Sequence, residues 1–244
     1  MFDLFKPTRK KAQKRFDKAM RTGRLEPAIA YYRKYLAANA DDYQARNDLA
    51  WMLIEIGRAG EAVEALEQAI ELHEDAISWN NMGRALLTLK RFDEADRAFD
   101  TAYELDPDDP KPAYNKAVGL RKRDDLPGCK DALESLLQHH PEYAPALNDL
   151  ALCLQEEERF DEAIPYLERA VAARPDWVAG LFNLVTTLCE LDRHREATPH
   201  IEALADLGHD VSVDADDEYL TITVNGAVLY SGERRGETSS GAQE

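Results

Sequence analysis

The sequence is short of cysteine, of long apolar runs and of positive charge. Three cysteines in 244 residues, at 129, 153 and 189, include no CxxC pair. An odd, widely spaced set excludes a disulfide framework and fits a reducing compartment. No run approaches the roughly 18 consecutive apolar residues of a membrane-spanning helix, which excludes an integral helical membrane protein. The opening MFDLFKPTRKK has no apolar stretch of the secretory kind ahead of its basic residues, so a cytoplasmic location is expected. Lys and Arg number 30 against 47 Asp and Glu, a net charge of −17. Such a chain repels phosphate backbones at long range, so nucleic acid is not an expected partner. Catalytic signatures are also missing: there is no GxSxG, no GxxxxGK followed by Ser or Thr, no HExxH and no GxGxxG. The chain is therefore not expected to be an enzyme or to carry a cofactor. Cys189, His194 and His200 stand close in sequence, but their spacing fits no common zinc pattern, and no metal site is expected.

What the sequence has in abundance is surface charge and periodicity. With 32% charged and 44% hydrophobic residues, it suits helices with one buried stripe better than a thick β core. A small residue followed four positions later by a large apolar one recurs as Ala28/Tyr32, Ala62/Leu66, Ala95/Phe99, Cys129/Leu133, Ala163/Leu167 and Ala197/Ile201, at steps of 34, 33, 34, 34 and 34. Upstream of these pairs lies a second comb, Leu49-Ala50, Met82-Gly83, Lys116-Ala117, Leu150-Ala151 and Leu184-Val185. Each doublet is followed by Leu53, Leu86, Leu120, Leu154 or Leu188. Every unit thus holds two helical-period patterns joined by a short polar turn, such as KRFDE at 90–94 and ERFDE at 158–162.

These residues resemble the tetratricopeptide repeat, a helix–turn–helix of about 34 residues. Unit 76–109 matches most fully, with Trp79, Met82, Gly83, Leu86, Ala95, Phe99, Ala102 and Pro107 at the family's positions 4, 7, 8, 11, 20, 24, 27 and 32. Units 9–42, 43–75, 110–143, 144–177 and 178–211 follow the same frame, the first degenerate at Arg15-Phe16. The resemblance implies an all-α fold, an α-α superhelix of about six helix-turn-helix repeats, over residues 9–211. Pro165 and Pro199 fall in or near the first turn of second helices, where a missing N–H costs little.

The two ends depart from the repeat. The first 24 residues hold nine basic residues and two acids, or +7, which leaves −24 on the remainder. Phe2, Leu4 and Phe5, within the segment 1–8, precede the basic run. That pattern reads either as a weak anchor for an anionic membrane surface or acidic partner, or as a capping helix with a solvated basic face. At the other end, within 212–231, two β-prone runs flank Asn225-Gly226, a small C-terminal β-hairpin with a type I′ turn. That turn pairs Val224 with Ala227 and Ile222 with Leu229, so Leu220, Ile222, Val224, Ala227 and Leu229 share one apolar face. The hairpin either caps the last repeat or mediates self-association. Residues 232–244 read as a disordered tail.

The resemblance also implies that first helices line a concave face, with unit positions 2, 5, 6, 9, 12 and 13 pointing inward. These carry Asn47, Asp48 and Trp51, then Asn80, Asn81 and Arg84, then Tyr114 and Asn115, then Asn148 and Asp149, then Phe182 and Asn183. Lys111 and Arg121 add positive charge in the fourth unit. The row is similar to the asparagine ladder of the O-linked N-acetylglucosamine transferase repeats. Each amide offers a donor and an acceptor to an extended peptide; the other reading is that the amides satisfy neighbouring protein groups. Lys111, Arg121 and Arg84 would attract an acidic stretch, flanked by Trp51, Tyr114 and Phe182 as apolar anchors. The expected function is a non-catalytic adaptor that binds a peptide segment of a partner protein.

Overall fold

The computed structural model describes residues 7–215 and 219–233. Phe2, Leu4 and Phe5, the segment 234–244 and the side chain of Leu220 lie outside the described residues. Among these there are twelve helices and three strands: α1 Arg9–Thr22, α2 Glu26–Leu36, α3 Tyr43–Glu55, α4 Ala59–Leu72, α5 Ala76–Thr88, α6 Phe92–Leu105, α7 Lys111–Lys122, α8 Leu126–His139, α9 Ala144–Glu156, α10 Phe160–Ala173, α11 Val178–Glu190, α12 His194–Asp206, β1 Val211–Ala215, β2 Tyr219–Val224 and β3 Ala227–Glu233. The helices alternate as first and second members of hairpins, as the 34-residue period requires. The chain divides into two compact units, Met1–Ala132 and Leu133–Glu244.

Local chemistry sets the helix ends. In the first unit, side chains of Thr8, Asp42 and Asp75 accept bonds from the backbone N–H of Lys11, Ala45 and Ser78, at 3.4, 2.9 and 2.7 Å. These are N-caps, each offsetting an orphan donor of the first turn. First helices stop by a repeated device. The carbonyls of Leu53 and Leu86 accept from the N–H groups of Arg58 and Arg91, and Leu154 and Leu188 do the same for Arg159 and Arg193, all at 2.8–2.9 Å. The residue before each arginine is left-handed: Gly57, Lys90, Glu158 and Asp192, with φ between 57° and 77°. Only Gly57 adopts this without a Cβ penalty. Each arginine then bonds the glutamate three residues on, Arg58 to Glu61, Arg91 to Glu94, Arg159 to Glu162 and Arg193 to Glu196, at 2.6–2.7 Å. These bonds hold Glu61, Glu94 and Glu196 below the usual carboxylate range.

The core of the first unit follows the small/large comb. Ala28, Ala62 and Ala95 let helices approach, while Tyr32, Leu66 and Phe99, all fully buried, fill the space between them. A Cβ added to Gly83 would fall on the Phe99 ring, so the glycine is what admits that ring against α5. Contacts of α3 with α5 and of α5 with α7 make these first helices one continuous layer within the unit.

In the second unit Ala163 and Ala197 stand beside buried Leu167, Leu184 and Leu188. Pro165 and Pro199 are each the sixth residue of their helices, two residues beyond the first turn. Their position removes the intrahelical donor that Asp161 and Arg195 carbonyls would otherwise receive. The C-terminal element is a three-stranded antiparallel sheet in the order β1-β2-β3, so the expected hairpin gains a strand, Val211–Ala215. Asn225 and Gly226 both have positive φ, 52° and 76°. Val224 pairs with Ala227, but an irregularity at Ile222/Thr223 sets Ile222 opposite Tyr230 rather than Leu229. The bulge turns Leu229 and Tyr230 both toward the helices, where they pack with Val185, Leu188 and Ile222. The opposite face carries the Ser212 and Thr223 hydroxyls, 2.6 Å apart, with Val228 exposed opposite Thr223. Strand β3 runs through Glu233, two residues into the segment expected to be disordered.

Candidate partner-binding face

Every asparagine of the expected ladder lies on a first helix, and the structure shows what those amides bond. In the first unit Asn81 Nδ2 donates to Asn47 Oδ1 at 3.3 Å, and Asn47 Nδ2 donates to Ser78 Oγ at 2.5 Å. Asn115 Nδ2 donates to Asn80 Oδ1 at 2.8 Å. In the second unit Asn183 Nδ2 donates to Asn148 Oδ1 at 2.7 Å, and Asn148 Nδ2 donates to Asp149 Oδ1 at 3.1 Å. One rule covers three bonds: the amide at unit position 6 donates to the amide at position 5 of the preceding unit. Asn47, Asn81 and Asn148 are buried by this, while Asn80, Asn115 and Asn183 stay half-buried. A primary amide has two N–H donors and two acceptor lone pairs. The half-buried amides therefore keep capacity for a second partner after the interhelical bond is made.

The remaining expected residues divide. Asp48 is held by two groups from the N-terminal helices: Arg9 Nη1 at 2.8 Å and Tyr32 OH at 2.9 Å. Burial disfavours the Arg9 charge, yet its bond to Asp48 and the nearby Asp48, Tyr32 and Asp42 charges together outweigh that and raise its pKa. Burial, reinforced by Asp48, likewise pushes the Tyr32 phenol far up. Beside it, Tyr35 OH donates to Asp42 at 2.8 Å and is pushed up to about 12, by burial first and this bond second. Trp51 stands edge-on to Phe16 with ring centroids 5.5 Å apart. Arg84 bridges two helices, Nη2 donating to Glu55 at 2.6 Å and Nη1 to Asn81 at 3.4 Å. Lys111 is exposed, its Nζ 3.7 Å from Asp109. Tyr114 and Arg121 are half-buried on α7. Phe182 packs into a cluster with Leu181, Leu204 and Val224, its ring centroid 6.3 Å from His209. The residues from Asn47 to Arg121 thus fall in the first unit, and Asn148, Asp149, Phe182 and Asn183 in the second.

Ile77, at position 2 of α5, escaped the reading of the sequence. It is 66% exposed, one turn before Asn80 and Asn81. The signal was present, since position 2 belongs to the inward set, but an isoleucine at a helix start reads as core by composition. Glu55 and Ser78 also went unread. Their roles depend on partners about 30 residues away in sequence.

Cys189 is buried, and burial with the nearby Glu190 and Asp192 charges pushes its thiol up to about 11, where it is a poor nucleophile. His194 Nε2 sits 3.6 Å from Asp192. No group of three or more metal-ligating side chains occurs among the described residues, and no helix among them is long and apolar enough to cross a membrane.

Two compact arrays of helical hairpins, with interlocked amides on their first helices, define a helical-repeat protein. Tetratricopeptide-repeat family signatures match residues 14–76, 53–110 and 120–181, together more than half of the chain. The chain belongs to the tetratricopeptide-repeat family, whose fold serves in general as a protein–protein interaction scaffold. It is similar to protein FlbA of Caulobacter vibrioides, 33% identical over 100 residues, covering 41% of this chain and 17% of FlbA. It is also similar to DnaJ homolog subfamily C member 3 of Gallus gallus, 28% identical over 146 residues, covering 58% of this chain and 28% of the relative. The chain thus spans between a sixth and a third of these relatives' lengths. Among solved structures, the tetratricopeptide-repeat protein TTC0263 of Thermus thermophilus superposes with a TM-score of 0.62 at 15% identity, covering 75% of this chain and all of that one.

Proposed function

We propose that the protein is an adaptor that binds an extended segment of a partner protein along the first-helix layer of its first unit. The observation that carries this reading is the half-buried Asn115–Asn80 bond at 2.8 Å. It holds two amides in fixed orientation and leaves each a further donor and acceptor. Ile77 supplies an exposed apolar anchor one turn away. The exposed Lys111 sets the charge preference, toward a segment with an acidic group beside the residue that covers Ile77, while Arg84 is already held by Glu55. Asp48 is left out of this contact because Arg9 and Tyr32 already occupy it.

The test is selection of peptides from a random display library on the full chain, followed by titration of the enriched peptides. Asn80→Ala with Asn115→Ala should weaken binding at least about tenfold, as should Ile77→Ser, which removes one desolvated anchor. Ile77→Ser should leave the thermal midpoint unchanged, because the side chain buries little. Asn81→Ala should do the reverse: it removes a buried interhelical bond worth about 0.5–1.5 kcal/mol and spares the peptide. Selected peptides that bind the Asn80/Asn115 and Ile77 variants as tightly as the parent would exclude this face.

A further inference from the structure

Most arginines in the body of the repeats are neutralised where they stand. Arg58, Arg84, Arg91, Arg123, Arg159 and Arg193 each reach a carboxylate at 2.6–2.7 Å. Helix α1 is different. Ala12, Phe16 and Ala19 face the unit, and Lys10, Lys11, Lys14, Arg15, Lys18 and Arg21 spread over the opposite, exposed side. The helix holds a single acid, Asp17, which accepts from Gln13. Among the described residues Lys10, Lys14, Lys18 and Arg24 make no ion pair.

The face is not featureless. Arg15, Lys18 and Arg24 converge with Thr22, Pro27 and Ala28 on a cleft of about 380 Å³ where α1 meets α2. The Arg15 guanidinium is steadied above the Tyr31 ring at 4.6 Å, and the Thr22 hydroxyl donates to the Lys18 carbonyl at 2.9 Å. Three cations around a small cleft, at the end of a continuous basic helix face, suit a phosphate group fixed to a larger anionic surface. A cluster of Lys and Arg on one face of a helix gives reversible, salt-sensitive binding to anionic lipid. With +7 on the first 24 residues and −24 on the rest, an anionic surface also orients the molecule, drawing α1 in and repelling the remainder.

We infer that α1 is a peripheral membrane-docking helix, with the cleft of Arg15, Lys18 and Arg24 taking the phosphate of an anionic phospholipid headgroup. This goes beyond the adaptor reading and shares no residue with it. The test is co-sedimentation of the full chain with phosphatidylcholine vesicles with and without phosphatidylglycerol. Sedimentation with the anionic vesicles at low salt, and release at high salt, is expected. Lys14→Gln, Lys18→Gln and Arg24→Gln combined should weaken it on the order of a hundredfold, with an unchanged circular dichroism spectrum because all three side chains are exposed. No sedimentation at low salt overturns the inference, and so does undiminished sedimentation of the triple variant. Tighter retention by a polyglutamate peptide than by the vesicles would overturn it in favour of an acidic protein partner.

Discussion

The first unit is closed at its N-terminal side by a helix, the second at its C-terminal side by a sheet, and the two closures use different physics. Helix α1 brings charge: Arg9 is held by Asp48, Tyr32 and, at 3.7 Å, Asp42, while Phe16 adds aromatic contacts on Trp51 and Tyr32. The sheet brings apolar area: Ile222 and Val224 are almost fully buried, and Leu229 and Tyr230 pack beside them. A repeat array leaves an apolar face unmatched at each end, and something atypical must cover it. Covering it with an aliphatic sheet stabilises the last repeat through buried area. Covering it with a basic helix secures the first repeat with a few directed bonds and leaves a charged outer surface for another use. The interior of each unit, by contrast, repeats one design.

That common design sets the largest expected effect. Phe99 in the first unit and Leu167 in the second occupy the same repeat position, and both are fully buried. Phe99→Ala should cost about 3–5 kcal/mol and Leu167→Ala about 2–5 kcal/mol. Each loss should appear first in its own unit. Trp51 and Trp79 report on the first unit and Trp177 on the second, so urea unfolding followed in Trp177→Phe and in the Trp51/Trp79 double Phe variant separates the two. Simultaneous loss of both signals in either core variant would mean that the halves unfold as one.

The comb of small and large residues was legible in the sequence because each residue's role depends on its own helix period, and twelve helices follow from it. The amide rungs were legible as a row, but their bonding was not. A donor at position 6 and an acceptor one unit earlier meet only when two helices stack, and Arg9 reaches Asp48 across 39 residues. The third strand was missed because Val211–Ala215 is five residues long and carries Asp214. Without a partner such a run reads as a linker. The register at Tyr230 was beyond sequence reasoning for a similar cause. The bulge at Ile222/Thr223 seats two consecutive side chains on the helices, a demand of packing that no strand alternation encodes.

Intermediate effects distinguish the closures. Ile222→Ala removes buried aliphatic volume under the sheet and should cost the second unit about 2–5 kcal/mol. Arg9→Gln breaks a charge-assisted bond that is about a third exposed on Arg9, so screening reduces its loss to about 1 kcal/mol in the first unit. The same contrast should appear in salt: the Arg9 effect shrinks at high ionic strength and the Ile222 effect does not. Light scattering on the chain truncated after residue 210 adds a further check. An unchanged oligomeric state places the sheet as a closure of its own unit, and a full-length dimer that becomes monomeric on truncation places it at an interface between copies.

The smallest expected effect concerns acid. His200 is half-buried in α12, and burial, only partly opposed by Glu168, holds its pKa below the ordinary histidine value. The unfolded chain therefore takes up the proton first as pH falls. The second unit should lose stability as pH drops below about 6.5, the unfolded histidine value, and regain it at neutral pH. The matching positions in the first unit are Tyr31, Ala65, Ala98 and Ala132, none of them a histidine. His200→Gln should flatten the acid-side decline seen through Trp177 and leave the Trp51/Trp79 transition where it was, measured by urea midpoints from neutral pH to about one unit below 6.5. A decline of unaltered slope in the variant would assign the acid sensitivity of the second unit to its carboxylates, and the two units would then respond to acid alike.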